Sequence, residues 1–488
     1  MNNKVEKWEF YETTFKGPKE GNPFIEVEFT AIFKNQKNSI EITGFYDGYG
    51  EYKIRFMPNM IGTWNFITHS NVNSLNNLTG NFECIEPSKN NHGPVKVRDK
   101  FHFEYADKTP HYSFGTTCYA WIHQTESLQL QTLKTLKFSP FNKLRMCVFP
   151  KSYDYNHNEP DLYAYEGSIE SGFNYKKFNP NFFKHLENRI LNLQNLGIEC
   201  DLILFHPYDR WGFSEMGAKN DELYLKYIVS RLSAFRNIWW SMANEYDILV
   251  NQGKKTLNDW ERLAQLVQEY DKYDHLNSIH NCNKFYDYNK PWITHCSIQR
   301  IDFYRTSENT DEWRKLYDKP IVIDECAYEG NINHGWGNIT GQEMTRRFWE
   351  GVVRGGYVGH GETYIHPKDI LWWSHGGTLH GTSPARIAFL RRILENAPGP
   401  ITSPVKSSDG SYSYWDVTVG SVSDDYFLFY FGFCQPTFRT FNMPKEKKYK
   451  VDIIDTWEMT ITEAGIYTED FSIDMPGKQY IAIRMIRV

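Results

Sequence analysis

The chain has 488 residues and a net charge of −6, and apart from the short cluster Lys445–Lys450 (KEKKYK) it carries no basic stripe, which argues against a nucleic-acid partner. No run approaches the roughly 18 apolar residues of a membrane helix, and the N-terminus MNNKVEKWEF lacks the apolar centre of a signal peptide, so a soluble, cytoplasmic chain without membrane contact is expected. Aromatic residues reach 16%, enough rings to fill β-domain cores and also to line a groove for a flat, hydroxylated ligand such as a carbohydrate.

Residues 1 to 90 read as a small β-sandwich. Ile25, Val27 and Phe29 alternate with Glu26, Glu28 and Thr30, and the stretch Gly44–Pro58 (GFYDGYGEYKIRFMP) sets turn glycines between short strands. The loop Pro87–Gly93 (PSKNNHG) marks the boundary. Residues 91 to 400 then alternate strands with helices, the signature of a parallel α/β barrel. The candidate strands number eight: Tyr112–Thr117, Lys143–Phe149, Cys200–Phe205, Ile238–Ala243, Ser278–Cys282, Ile293–Ile298, Pro320–Asp324 and Tyr357–Gly361. Asn179 with Pro180 opens one helix and Gly197 ends it; Leu225 to Phe235 carries a second apolar face. Asn258 with Glu261 and Thr340 with Glu343 have the spacing of capping boxes, and Ser383 with Pro384 opens the last helix. From 401 to 488 the alternation of Phe427, Phe429 and Phe431 with Leu428 and Tyr430, and of Ile481, Ile483 and Met485, predicts a second small β domain. The eight cysteines lack CxxC spacing and read as small buried thiols, and neither a metal nor an organic cofactor is expected.

Two apolar runs end in acids. NIWWSMANEYD (Asn237–Asp247) delivers Glu245 to the end of the fourth strand, and PIVIDEC (Pro320–Cys326) delivers Glu325, 80 residues later, to the end of the seventh. In a (β/α)8 barrel, side chains at the C-terminal strand ends converge on one mouth, so these glutamates can face one bond. Glycoside cleavage needs such a pair. One carboxyl protonates the leaving oxygen and the other stabilises or captures the oxocarbenium-like centre, with retention when they stand about 5–5.5 Å apart. The charge of Glu325 and partial burial should raise the pKa of Glu245 and make it the acid. Asp247, Asp324 and Glu329 are rival carboxylates, and strict strand alternation would turn Asp324 away from Glu325.

Asn244-Glu245 and Glu325 resemble the acid/base motif and nucleophile of the retaining glycoside hydrolases of clan A. The resemblance implies that Asn244 contacts the sugar 2-hydroxyl and that Arg145, in LRMCVF, supports the nucleophile. More closely, GNPFIEVEF (Gly21–Phe29), GFYDGYGEYKIRFMP, HGETYIHP (His360–Pro367) and LWWSHGGTLHGTSPARIAFLR (Leu371–Arg391) are similar to the apiosidase-like glycosidases, bacterial proteins with a β domain on either side of the barrel. Many clan members place a tyrosine or histidine after the sixth strand to hold the nucleophile. Here THCSIQRIDFY (Thr294–Tyr304) offers His295, Gln299 or Tyr304 instead.

Further substrate contacts are expected from His206 and Tyr208 after the third strand and from Trp373 stacking on a sugar ring, with Trp372 in the core. Trp121 and His123, after the first strand, are similar candidates. Glu362 could bind a hydroxyl or pair with an arginine, and His360 could be a ligand contact or a core histidine. The expected activity is a retaining, exo-acting glycoside hydrolase; a transglycosylase or a non-catalytic carbohydrate-binding protein would use the same scaffold.

Overall fold

The computed structural model describes residues 4–36, 38–366, 371–402 and 416–488. Its centre is a ring of eight parallel strands: β1 Gly115–Thr117, β2 Lys143–Cys147, β3 Glu199–Ile203, β4 Ile238–Ser241, β5 Asn277–Ser278, β6 Cys296–Gln299, β7 Ile321–Glu325 and β8 Tyr357–His360. They pair in the order β5-β4-β3-β2-β1-β8-β7-β6, and a parallel bridge between His280 and Ser297 joins β5 to β6 and closes the barrel. Among the described residues, seven helices of eight residues or more cover it: α1 Glu126–Phe138, α2 Pro180–Asn195, α3 Ala218–Leu232, α4 Leu257–Tyr270, α5 Thr310–Tyr317, α6 Gly341–Val353 and α7 Ser383–Glu395.

Local chemistry sets several of these ends. The Asn179 side chain accepts from Asn181 N ahead of Pro180, and Gly197, at φ 70°, takes the left-handed turn after α2. Thr340 caps α6 as expected, although Glu343 turns away to pair with Arg346 and Arg347. The predicted box at Asn258 and Glu261 lies one half-turn too late. Thr256 and Asp259 form the reciprocal cap of α4. Glu261 instead accepts from Tyr286 OH and Trp292 Nε1, fastening the β5–β6 connection, which contains no helix, against α4.

The N-terminal part is a sandwich of a five-stranded and a three-stranded sheet. Of the alternating stretch Ile25–Thr30, read as strand, Ile25 and Glu26 lie instead in a helical turn, Pro23–Glu26, that Pro23 starts, and the strand begins at Phe29. This sandwich is fastened to the barrel by buried ions. Arg55 donates to both Glu187 oxygens, at 2.5 and 2.9 Å, and Arg231 pairs with Asp47 at 2.8 Å. A meander of Val95–Arg98, His102–Tyr105 and Pro110–His111 follows and seals the barrel floor, packing Val95 and Phe103 on Trp239, Val322 and Tyr357.

The C-terminal sheet runs Thr418–Val422, Tyr426–Tyr430, Ile481–Arg487, Lys448–Asp455, Thr460–Thr468 in spatial order. Both faces of its second strand, Tyr426–Tyr430, are buried: Phe427 and Phe429 enter the domain's own core, while Tyr426, Leu428 and Tyr430 join the barrel's core. That double burial explains a strand written as five consecutive aromatic or aliphatic residues. No helix among the described residues is long and apolar enough to cross a membrane.

Candidate active site

The C-terminal ends of the strands open into a cavity of about 170 Å³ lined by Glu245, Glu325, Asn244, Gln299, Tyr119, Lys151, Tyr153, Tyr208, Cys282, Ile301, Tyr328, Trp336 and Trp373. A larger cleft of about 1030 Å³ lies at the other end, near Asn142 and His111, where strands begin, and neither Glu245 nor Glu325 lines it.

Below the mouth, the barrel interior holds a closed set of charges. Lys143 Nζ lies 2.5 Å from Asp324 Oδ1 and 2.8 Å from Asp201 Oδ2, and Arg145 Nη1 lies 3.1 Å from Asp201 and 3.2 Å from Asp324. Since β1 and β8 stand between β2 and β7 in the sheet, the Lys143–Asp324 contact crosses the lumen. Burial alone would raise the Asp324 pKa, but the Lys143 and Arg145 charges outweigh it and hold the carboxyl well below the usual range.

Asp324 therefore points inward, contrary to the alternation argument, and so does Glu325. The ladder explains how. Ser297 pairs with Val322 but Gln299 pairs with Glu325, so β7 carries one extra residue against β6, a bulge that lets two consecutive side chains turn to the same side.

Glu245 leaves its strand in the left-handed region, φ 54° and ψ 53°, which costs a non-glycine residue about 1–2 kcal/mol and swings the side chain over the mouth. Tyr208 OH donates to Glu245 Oε2, and Asn244 Nδ2 donates to the same oxygen at 3.2 Å. Asn244 is oriented from below by Arg145 Nη2, which donates to its Oδ1 at 3.1 Å. Arg145 thus has no hydrogen bond to Glu325, the residue it was expected to support; its donors go to Asp201, Ser297 and Asn244. Burial, and next the negative charge of Glu325, push the Glu245 carboxyl up to about 7, against the opposing influence of Lys151 and the Tyr208 hydroxyl.

Glu325 accepts from Tyr119 OH, and His280 Nε2 lies 4.0 Å from the same oxygen. The acceptors around Gln299 orient its amide with NH2 toward the cavity, where one nitrogen donates to Glu245 Oε1 at 3.2 Å and to Glu325 Oε2 at 3.1 Å. Of the three residues considered for this role after β6, Gln299 alone lines the cavity. His295 is buried against Trp239 and Phe103 at the floor, and Tyr304 is 93% exposed.

Tyr208 and Trp373 line the cavity as expected, while Trp372 is core, its Nε1 donating to Thr116 Oγ1 at 2.9 Å. His206 and Glu362 do not line it. His206 lies beneath, bonded through Nε2 to Phe149 O at 3.2 Å. Glu362 accepts from the backbone N–H groups of His380 and Gly381 and pairs with no arginine; burial pushes it up to about 8. Trp121 and His123 are likewise core, bonded to Gln129 O and Val148 O. The rival Asp247 is occupied by the backbone N–H groups of Cys282, Asn283 and Lys284, which fixes the loop after β5.

Seven lining residues were missed, Tyr153, Cys282 and Ile301 and, more prominently, Tyr119, Lys151, Tyr328 and Trp336. The last four sit in irregular connections where no periodicity flags them, although Tyr119 lies two residues from Trp121, in a loop that had drawn notice. Lys151 is distinctive. Among the described residues its buried ammonium makes no hydrogen bond or ion pair, and it stands over the rings of Tyr119, Tyr208 and Trp373, at 4.1, 4.4 and 4.9 Å.

A barrel with two glutamates at the ends of its fourth and seventh strands is the architecture of the clan A glycoside hydrolases, and this chain is an enzyme of that class. It belongs to the apiosidase-like family, whose catalytic domain matches residues 98–385, with domains of unknown function matched at 4–71 and 415–486. A crystal structure from Bacteroides vulgatus, provisionally described as a glycoside hydrolase, is similar over 99% of this chain and 100% of its own, with 40% identity and a TM-score of 0.94. A family 5 glycoside hydrolase from the same organism shares the fold at 14% identity and a TM-score of 0.62, over 82% of this chain and 94% of its own. No curated protein sequence matches the chain.

Proposed function

We propose that the protein is a retaining, exo-acting glycoside hydrolase in which Glu325 is the nucleophile and Glu245 the acid/base. The observation that carries this reading is the single Gln299 nitrogen bonded to both carboxylates. The oxygens it bridges stand closer together than the sum of its two bonds, which is less than the roughly 6.5 Å at which the spacing of inverting pairs begins. This closeness supports direct attack over attack by an interposed water, so that Glu325 attacks the anomeric carbon itself.

Glu245, held near neutral pH as the acid, protonates the departing glycosidic oxygen. Once Glu325 is esterified its negative charge is gone, one of the two effects raising Glu245 disappears, and the same carboxylate accepts a proton from the water that releases the sugar. Tyr119 keeps one Glu325 oxygen oriented, and Asn244 presents its amide N–H to the sugar 2-hydroxyl. Lys151 supplies unspent donors to ring substituents, and Trp336 and Trp373 offer faces for stacking.

A cavity of about 170 Å³ is small beside the roughly 300–1,000 Å³ typical of ligand pockets, which fits one terminal sugar ring rather than a polymer lying across the site. A panel of aryl α- and β-glycosides, pyranose and furanose, assayed with wild type, Glu245→Ala and Glu325→Ala, tests the reading. Loss of turnover in both variants, with azide restoring it in Glu245→Ala through a glycosyl azide of unchanged anomeric configuration, is the expected result. Unchanged activity in either variant rules out that carboxylate.

A further inference from the structure

Behind the cavity, two more glutamates are buried side by side. Glu329 and Glu362 stand directly opposite each other in the short parallel strands Glu329–Gly330 and Glu362–Thr363, 0% and 1% exposed. Like charges opposite one another in a ladder repel, and burial deepens the cost. Backbone donors surround both. Glu329 accepts from Thr382 N at 2.7 Å and Ser383 N at 3.1 Å, at the start of α7, and Glu362 accepts from His380 N and Gly381 N. These dipoles satisfy lone pairs without bringing a positive charge, and among the described residues no lysine or arginine pairs with either carboxylate.

A third group faces them. His360, fully buried two residues before Glu362, stacks on Phe141 and has its Nδ1 3.0 Å from Thr116 Oγ1, while its Nε2 has no partner. In the tautomer whose Nδ1–H donates to the threonine, Nε2 presents a lone pair, the arrangement that orients a metal-binding imidazole. One ligand atom from each of Glu329, His360 and Glu362 lies within 4.8 Å of the others. The absence of a side chain at Gly381 keeps the approach open, since a Cβ there would lie 2.5 Å from Glu329 Oε2 and 2.6 Å from Glu362 Oε2.

We propose that Glu329, His360 and Glu362 bind one divalent transition-metal ion of the zinc or manganese class. Two carboxylates and a neutral imidazole match the charge and donor preference of such ions, whose bonds of about 2.0–2.2 Å set ligand atoms roughly 3.0–3.6 Å apart, so the three side chains would close around the ion by up to about an ångström on binding. The lack of cysteine motifs, which argued against metal in the sequence, has no bearing on an oxygen and nitrogen donor set. The ion would tie the loops after β7 and β8 to the start of α7, and these loops carry Tyr328, Trp336 and Trp373 into the active site.

The test is metal uptake by the full chain, independent of any substrate. Protein stripped with chelator is loaded with zinc or manganese chloride, desalted and analysed for bound metal, with Tm recorded before and after. The expected result is about one retained equivalent and a metal-dependent rise in Tm for wild type, both lost in His360→Gln and in the isosteric Glu362→Gln. Circular dichroism checks that each variant is folded, and either one alone suffices. No retained metal in wild type, or equal retention in a folded variant, overturns the proposal. Glu362→Gln matching wild type in Tm with and without metal would instead assign the pair a shared proton.

Discussion

Asp324 and Glu325 are consecutive carboxylates on one strand, both buried and both turned into the barrel, yet their surroundings treat them in opposite ways. Asp324 lies between Lys143 and Arg145, and with Asp201 it completes a set of two cations and two anions. Glu325, one residue higher, has a phenol and an amide for partners and shares its space with a second carboxylate. Full charge compensation fixes the first as structure. The second is held by neutral donors alone, the setting that the proposed nucleophile needs. Burial is common to both and decides neither, so the difference lies in what balances the charge.

Substitution should separate the two positions most sharply. Glu325→Ala is expected to lower kcat at least about 10⁴-fold while barely moving Tm, as loss of a nucleophile does. Asp324→Asn leaves a buried cation uncompensated and should destabilise the barrel by about 3–5 kcal/mol, read as a fall in the thermal transition followed by tryptophan fluorescence. A variant at Asp324 that kept its stability and lost activity would reverse the assignment.

Glu245 sharpens the contrast through pH. Its folded-state pKa, about 7, lies above the ordinary value of 4.5, so folding favours the protonated form. The stability tied to this carboxyl is full below pH 4.5 and is lost as pH rises through about 7. Glu245→Gln should therefore gain stability relative to wild type between pH 5 and pH 8, by an amount of order 3 kcal/mol. In wild type, kcat/KM should fall above pH 7 as the acid loses its proton. A Tm difference that stays flat across that range would contradict the raised pKa. The smallest expected effect is that of Tyr119→Phe, which removes one hydrogen bond to a charged oxygen and should cost about 10- to 100-fold in kcat with little change in KM.

The sequence exposes parts of this contrast and hides others. Glu245 and Glu325 are legible because an apolar strand that ends in an acid must deliver it somewhere, and the eight candidate strands at barrel spacing say where. The lumen charges are not legible as a set, since Lys143, Arg145 and Asp201 each look like an interruption in an apolar strand until the barrel closes around them. The bulge in β7 is invisible for a related reason. It exists only as a register difference with β6, and without it alternation assigns Asp324 the wrong direction. His206 and Glu362 show the reverse error: both follow strands at the functional end, but their backbone partners place them beneath the surface that substrate would meet.

The most direct measurement is the mass of the enzyme during turnover. Glu245→Gln incubated with an activated aryl glycoside should form its ester quickly and release it slowly, and peptide mapping of the trapped protein should place one glycosyl group on Glu325. A glycosyl group on another residue, or turnover with no covalent adduct and inverted product, would contradict the account.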